Sequence, residues 1–371
     1  MTKTVAFIRS SGFFSDSRST KEIRTLVGAG YKVIAIGWDR KGIAKEKCNA
    51  VFADISDSVS FKLMDLSTQS GSGIKSIVKF VKWFRYVRKV LLQYKDRINI
   101  IHACDFDAAY PAYHFFRKHS VKMVYDIYDY YIDSHSIPLI LSRVIEKSEN
   151  RIINTADCVI LCTEERREQI RKTSPKKVIV VHNSPDVEII PNSEELYDYS
   201  YCGALVDRRL ISEIVDDYQN NQDFKIAIAG GGKHLQKVQQ LKARFCNVSY
   251  LGVIPYDEVI SIEAKTKVLS AMYEPVIRNH KLCAPNKFYE AMALGKPIIV
   301  CRGTGIDKIV EDNRIGVAIN YNACEFYTEL RRLINNPQLR KSMGENARNL
   351  YERDYKWTVM KQRLIAMYDE L

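Results

Sequence analysis

The stretch APNKFYEAMALGKPIIV, residues 284–300, decides how the rest of the chain is read. Pro285 suits an early helical or pre-helical position. KFYEAMAL (287–294) then reads as a short helix, Gly295 as its C-terminal cap and KPIIV as the buried strand that follows. This account of start, filling and stop leaves Asn286, Lys287 and Glu290 without a role. They fall at or near the amino end of the helix. There Glu290 offers two acceptors to a vicinal diol, while free helix N–H groups and Lys287 suit an anion.

Outward from this stretch, short apolar runs alternate with helical patterns. KTVAFIR (3–9), YKVIAIGW (31–38), INIIHAC (98–104), VKMVYDIYD (121–129), DCVILC (157–162) and KKVIVVHN (176–183) form one series. The polar, acidic passage 184–200 reads as a linker. A second series follows in YSYCGAL (199–205), FKIAIAGGG (224–232), NVSYLGVI (247–254), KVLSAMY (267–273), KPIIVCR (296–302) and GVAIN (316–320), and the tail from Cys324 is helical. Strands alternating with helices at this spacing predict parallel sheets covered on both faces. At 371 residues the chain is also longer than one core usually serves. The expected class is α/β, with two Rossmann-like domains facing across a cleft and ligands at the carboxyl ends of the strands. The expected division is 1–188, 189–352, and a C-terminal helix at 353–371 packing back toward the first domain.

No apolar run reaches the length of a spanning helix, and the first strand leads straight into a polar loop. A secretion signal is therefore not expected. The nine cysteines are scattered, odd in number and mostly within strand-like runs, which suits reduced thiols in the cytoplasm. No metal-ligand cluster is expected. Cys158 and Cys162 read as strand residues.

The formal charge of +12 has four candidate causes: nucleic acid, an anionic membrane surface, phosphorylated substrates, or an excess of solvated lysines with no specific role. In segment 73–97, Ile74, Ile77, Val78, Val81, Phe84, Val87 and Leu91 recur at helical spacing. Lys75, Lys79, Lys82, Arg85, Arg88, Lys89 and Lys95 occupy much of the remaining surface. The segment reads as a cover helix, and its cationic, Trp- and Phe-bearing character also suits an interfacial helix on anionic lipid. Nucleic acid is the poorer reason, since no recognition motif accompanies the charge.

Several further residues stand where strands give way to helices. Gly12, in the loop after the first strand, would allow close approach of backbone to a phosphate or sugar, although a plain connecting loop explains it too. His102, Cys104, Asp105 and Asp107 end another strand. Asp105 either meets a substrate or caps the next helix. Asp126 and Asp129 lie among tyrosines one strand later. Arg208 and Arg209 follow CGAL, and a guanidinium there suits a diphosphate.

The chain resembles the GT-B-fold glycosyltransferases, specifically the large retaining family four. The resemblance is carried by YEP at 273 through PNKFYEAMALGKPIIV. Supporting it are SSGFFSDSRSTKEIRTLVGAGYKV, IIHACDFD, VVHNSPD, YCGAL, VSYLGVIPYDEV and YERDYKW. It implies a nucleotide-diphosphate sugar held by the second domain and an acceptor held by the first. Glu290 would hold the donor ribose, and Arg208, with Arg209 as rival, the diphosphate. Gly12 would approach the donor phosphates or sugar. Ile254 would pack by the nucleobase, with Asn286, Lys287 and Phe288 at the same helix. Arg208, Asp105 and Cys104 are the residues expected at the reacting centre.

The resemblance further implies retention by front-face attack, a UDP- or GDP-sugar donor, and no metal or other cofactor. The acceptor would be a saccharide or lipid-linked saccharide in glycan assembly. Peripheral contact with an anionic membrane through 73–97 fits this scheme, and nucleic acid has no place in it. Three positions depart from the family pattern. Leu282 stands eight positions before Glu290, where a second glutamate is usual. Ala204 replaces the first basic residue, and Cys104 replaces a histidine. His102 is expected to point away from Cys104. An epimerase or hydrolase of the same fold, or a non-catalytic binding homologue, are the alternatives.

Overall fold

The computed structural model describes residues 2–371 except 15, 41, 67–73, 135–136, 187–193 and 284, and for 74–77 it describes the backbone alone. Thus the side chains of Ile74, Lys75 and Ile77 and the middle of the 184–200 passage lie outside the described residues. The chain forms two compact units, one of Met1–Val181 with Lys361–Leu371 and the other of His182–Met360. No described helix is long and apolar enough to cross a membrane.

The first unit is built on seven parallel strands: β1 (Thr4–Ile8), β2 (Lys32–Asp39), β3 (Val59–Asp65), β4 (Ile100–Cys104), β5 (Lys122–Ile127), β6 (Cys158–Leu161) and β7 (Val178–Val180). Their order is β3-β2-β1-β4-β5-β6-β7, so the winding reverses between β1 and β4, where Val5 pairs with Ile100. Alternate side chains sort to opposite faces. Ala6, Ile36, Ala103, Tyr125 and Leu161 pack under the helices Ile74–Gln93, Phe106–Phe116 and Leu139–Thr155. On the opposite face, Phe7 stacks on His102, and His102 in turn meets Tyr368 of the helix Trp357–Asp369.

The helix Ile74–Gln93 is a cover helix, and its aromatic character serves the core. Trp83 is fully buried, lies parallel to Trp38 at 5.9 Å and donates its indole N–H to the Asp107 carbonyl at 3.0 Å. Val87 and Leu91 are buried with it. The expectation of a tryptophan at a lipid interface fails here. Periodicity defines two faces of a helix, but not which residue of a mixed stripe meets the sheet. Lys82, Arg85, Arg88 and Lys89 remain exposed.

The second unit has six parallel strands: β8 (Tyr197–Cys202), β9 (Ile226–Ala229), β10 (Val248–Tyr250), β11 (Thr266–Ala271), β12 (Ile298–Cys301) and β13 (Gly316–Ile319). The order β10-β9-β8-β11-β12-β13 puts the reversal between β8 and β11. The helix of the opening stretch spans Asn286–Ala293. Pro285, at ψ 137°, holds the extended position before it, and Gly295 follows it at φ +62°. Backbone N–H groups of Gly295 and Lys296 close the helix end on Met292 and Ala291. His182 and Asn183 belong to this unit: His182 bonds the Tyr289 hydroxyl at 3.0 Å and Asn183 donates to Asn286 at 2.8 Å.

Candidate active site

A cavity of about 590 Å³ opens at the carboxyl ends of β8 and β9, beside the start of the helix Asn286–Ala293. Its floor is made by crossing glycines. Gly230 has φ +130°, and a Cβ there would stand 1.8 Å from the Gly203 carbonyl oxygen, so only glycine lets the two strand ends pass. Ile254 and Tyr256 form one wall, and Asn286, Lys287 and Glu290 another. Lys287 and Glu290 share a helix face because they are three residues apart. Phe288, Ala291 and Met292 turn into the core. Phe288, expected at the ligand, is thus 1% exposed and its side chain lines no part of the cavity.

Charge in this cavity is concentrated and dry. Lys287 Nζ lies 3.1 Å from Glu263 Oε1, a carboxylate only 2% exposed. Burial works against the lysine's charge, but Glu263 and Glu290 outweigh it and hold the ammonium above its usual value. Glu290 is pushed up to about 8, first by burial and then by the Glu263 charge, with Lys287 opposing. Its carboxyl also accepts from the Tyr256 hydroxyl. Sequence reading missed Glu263 and Tyr256. The only available signal was a glutamate inside the apolar run VISIEA.

A smaller recess of about 120 Å³ shares Gly203, Ala204, Tyr273 and Lys287 with the main cavity and adds Arg209. The Arg209 guanidinium lies 3.7 Å over the Tyr273 ring, and its Nη1 is buried without a protein partner among the described residues. Arg208 lines neither space. It sits at φ +66°, half exposed, and pairs with Glu274 at 2.9 Å. The geometry therefore favours Arg209 over Arg208 as the cation beside Lys287.

The residues expected from the first unit have other surroundings. Gly12 is packed tightly: a Cβ there would meet Ala44 and the Phe14 ring at 2.9 Å, and its carbonyl accepts from the Cys48 thiol. Asp105, at φ +65°, ties loops together at the end of β4. It accepts from the Tyr128 and Asp129 N–H groups at 2.9 and 3.1 Å and from Arg9 at 2.8 Å. Burial pushes it up to about 7 while Arg9 pulls it down. Cys104 is fully buried, with its thiol held well above the usual value by burial, which suits neither a nucleophile nor a substrate contact.

His102 does not point away from Cys104. Residues i and i+2 of a strand share a face, and both enter one buried cluster. There Arg18 bridges Asp126 at 2.8 Å and Glu22 at 2.9 Å. His102 bonds the Tyr368 hydroxyl at 2.7 Å and lies 3.3 Å from Asp126. Burial pulls His102 down to about 4, so it is neutral, and pushes Glu22 up to about 7. The ligand atoms of Glu22, His102, Cys104 and Asp126 lie within 4.8 Å of one another, a spacing that a metal ion could use. Arg18 already supplies the cation that those two carboxylates need.

Comparison with known proteins agrees with this architecture. Residues 23–189 match the family described as Glycosyltransferase Family 4, and residues 201–350 match Glycosyl transferases group 1. An uncharacterised glycosyltransferase of Methanocaldococcus jannaschii is 26% identical over 58% of this chain, and the match spans 60% of that relative's own length. The alpha-D-kanosaminyltransferase of Streptomyces kanamyceticus is 21% identical over 71% of this chain and 74% of its own. Among solved structures, a sucrose-phosphate synthase from Thermosynechococcus elongatus superposes with a TM-score of 0.76 at 12% identity, covering 99% of this chain and 98% of its own. An Anabaena protein solved with UDP-glucose gives 0.73 at 14% identity, over 99% of this chain and 100% of its own. With two Rossmann-like units, a cavity lined by Lys287 and Glu290 at the carboxyl ends of β8 and β9, and both halves matched, the chain belongs to the GT-B-fold glycosyltransferases of the family 4, group 1 type.

Proposed function

We propose that the chain transfers a sugar, with retention, from a nucleoside-diphosphate sugar to a saccharide or lipid-linked saccharide acceptor. The observation that carries this reading is the grouping of Glu290, Lys287 and Arg209 around two adjoining spaces, a cavity and a recess that share Lys287. Glu290 takes the ribose diol and Ile254 lies by the base. Lys287, Arg209 and the first N–H groups of the helix Asn286–Ala293 face the diphosphate. As the bond to the sugar breaks, charge builds on the leaving diphosphate, and these fixed cations stabilise it more than they stabilise the intact donor. The acceptor hydroxyl attacks from the face the diphosphate leaves, and the departing phosphate oxygen takes its proton. No step in this scheme uses a metal.

UDP- or GDP-sugars are the donors to try, and the UDP-glucose in the Anabaena structure supports starting with UDP. The acceptor is assigned to the first unit, where Asp105 ends β4 at the β1–β4 reversal. Placement at the cytoplasmic face of a membrane, with the exposed cations of Ile74–Gln93 on anionic lipid, would bring a lipid-linked acceptor to it.

Calorimetric titration with UDP, GDP and their hexose conjugates tests the donor site. Glu290→Ala and Arg209→Ala should each weaken the preferred donor at least tenfold, which is about 1.4 kcal/mol. Arg208→Ala should change it little. Unchanged affinity in Glu290→Ala and Arg209→Ala would remove the assignment. Donor consumption in the absence of any acceptor would instead favour a hydrolase or epimerase.

A further inference from the structure

Exposed large apolar side chains are scattered over the described surface, with one exception. At the start of the helix Leu139–Thr155, Leu139 is 69% exposed, Ile140 84%, Leu141 49% and Val144 58%. The same helix ends in the core, where Ile152 and Ile153 are buried. Its first turns therefore carry an apolar ridge that the first unit's own core does not use. Single exposed apolar residues are ordinary, but a contiguous ridge marks a surface that meets something.

The charge around the ridge says what it meets. Arg143 and Lys147 stand exposed beside it, and Glu146, the acid on this exposed half, is paired with Lys172 at 3.4 Å. The helix Ile74–Gln93 packs in the same layer over the sheet and contains no acidic residue. Both helices follow a strand and run back along the sheet, so both begin at the carboxyl edge. Val78, Val81, Lys82 and Arg85 of the basic helix are exposed near that edge. Two copies of the chain meeting here would oppose cation to cation. An anionic bilayer would not.

We infer that Leu139, Ile140, Leu141 and Val144 form a membrane-insertion ridge that enters the headgroup–acyl boundary of an anionic bilayer while the surrounding lysines and arginines meet lipid phosphates. The ridge adds a larger apolar anchor to the exposed Val78 and Val81 of Ile74–Gln93, a helix whose Trp83 is spent on the core. An apolar patch joined to a basic surface is the pairing that gives stable but reversible attachment. The inference rests on the membrane-facing part of the proposed function and is independent of donor chemistry.

Sedimentation with vesicles of phosphatidylglycerol and phosphatidylcholine tests it, using the full chain without donor or acceptor. The protein should pellet with these vesicles and not with phosphatidylcholine alone. Ile140→Asp combined with Leu141→Ser should lower partition at least tenfold, while nucleoside-diphosphate binding by calorimetry stays unchanged. Lys82→Glu with Arg85→Glu should weaken the salt-sensitive part only. The native tryptophans, Trp38, Trp83 and Trp357, are at most 4% exposed, so Ile140→Trp adds a surface reporter whose emission should shift to the blue on anionic vesicles. Equal pelleting of the double variant, or an unmoved emission, would overturn the inference. So would a dimer in sedimentation velocity that Ile140→Asp converts to monomer, which would make the ridge a contact between copies. Loss of vesicle binding with intact donor binding separates this failure from failure of the donor site.

Discussion

Glu290 is buried beside Glu263 and Lys287, and its raised pKa sets how the pocket responds to pH. Below about 8 Glu290 keeps its proton. Above that value it adds a negative charge to the pocket in which a diphosphate would bind. One unit charge about 8 Å away at an effective dielectric of ~20 costs about 2 kcal/mol. The better acceptor that an ionised Glu290 offers a ribose recovers about 1 kcal/mol. Repulsion wins, so affinity for a nucleoside diphosphate should fall roughly fivefold between pH 7 and 9. Glu263→Gln removes the like charge and should move that break to lower pH. A midpoint that stays put would exclude Glu263 as a cause of the raised value. Lys287 and Glu290 were legible in the sequence because spacing at a helix start fixes their common face. Glu263 was not, since nothing local distinguishes a buried glutamate from one that turns outward.

At the scale of elements, the opening stretch was the most readable part of the chain. Its proline, apolar face and glycine start, fill and stop a helix whose bounds, Asn286–Ala293, follow those signals closely. The floor of the pocket was less readable. The run AGGGKH, residues 229–234, reads locally as an ordinary strand exit, but Gly230 is required by a close approach to the Gly203 backbone where β8 and β9 end. Gly230→Ala would place a methyl inside the van der Waals radius of a carbonyl oxygen and impose φ +130° on an L-residue. The strands must separate to admit it. Thermal unfolding should drop by several degrees or more, about 2 kcal/mol or above, and nucleotide binding should be lost with it. Retained affinity at wild-type stability would show that the crossing is pliable. The basic helix shows the complementary limit. Its period was correct, but the partner of its aromatic residues was set by Trp38 on a distant strand, which no local window contains.

For the whole molecule, two Rossmann-like units were legible from the alternation of apolar runs with helical patterns. Less legible was the buried polar layer under Ser17–Gly28, because it joins Arg18, His102, Asp126 and Tyr368 from four separate parts of the sequence. Tyr368 is fully buried, and its hydroxyl bonds His102 Nδ1 at 2.7 Å. Tyr368→Phe would leave one imidazole nitrogen unpaired in a dry layer, costing about 1–3 kcal/mol. Denaturant unfolding of the full chain should lose that amount, with the loss confined to the transition reporting the first unit. A change in the second unit's transition instead would place the role of Tyr368 elsewhere.

Because Lys361–Leu371 belongs to the unit formed by Met1–Val181, the second unit interrupts the first in sequence. During synthesis, residues 182–360 therefore emerge whole and can fold while the first unit still lacks its final helical segment. Until residues 361–371 leave the ribosome, the His102 layer has no tyrosine over it and stays open to water. The first unit is thus completed only after the second has emerged, and nascent chains stopped short of Tyr368 leave that layer uncovered.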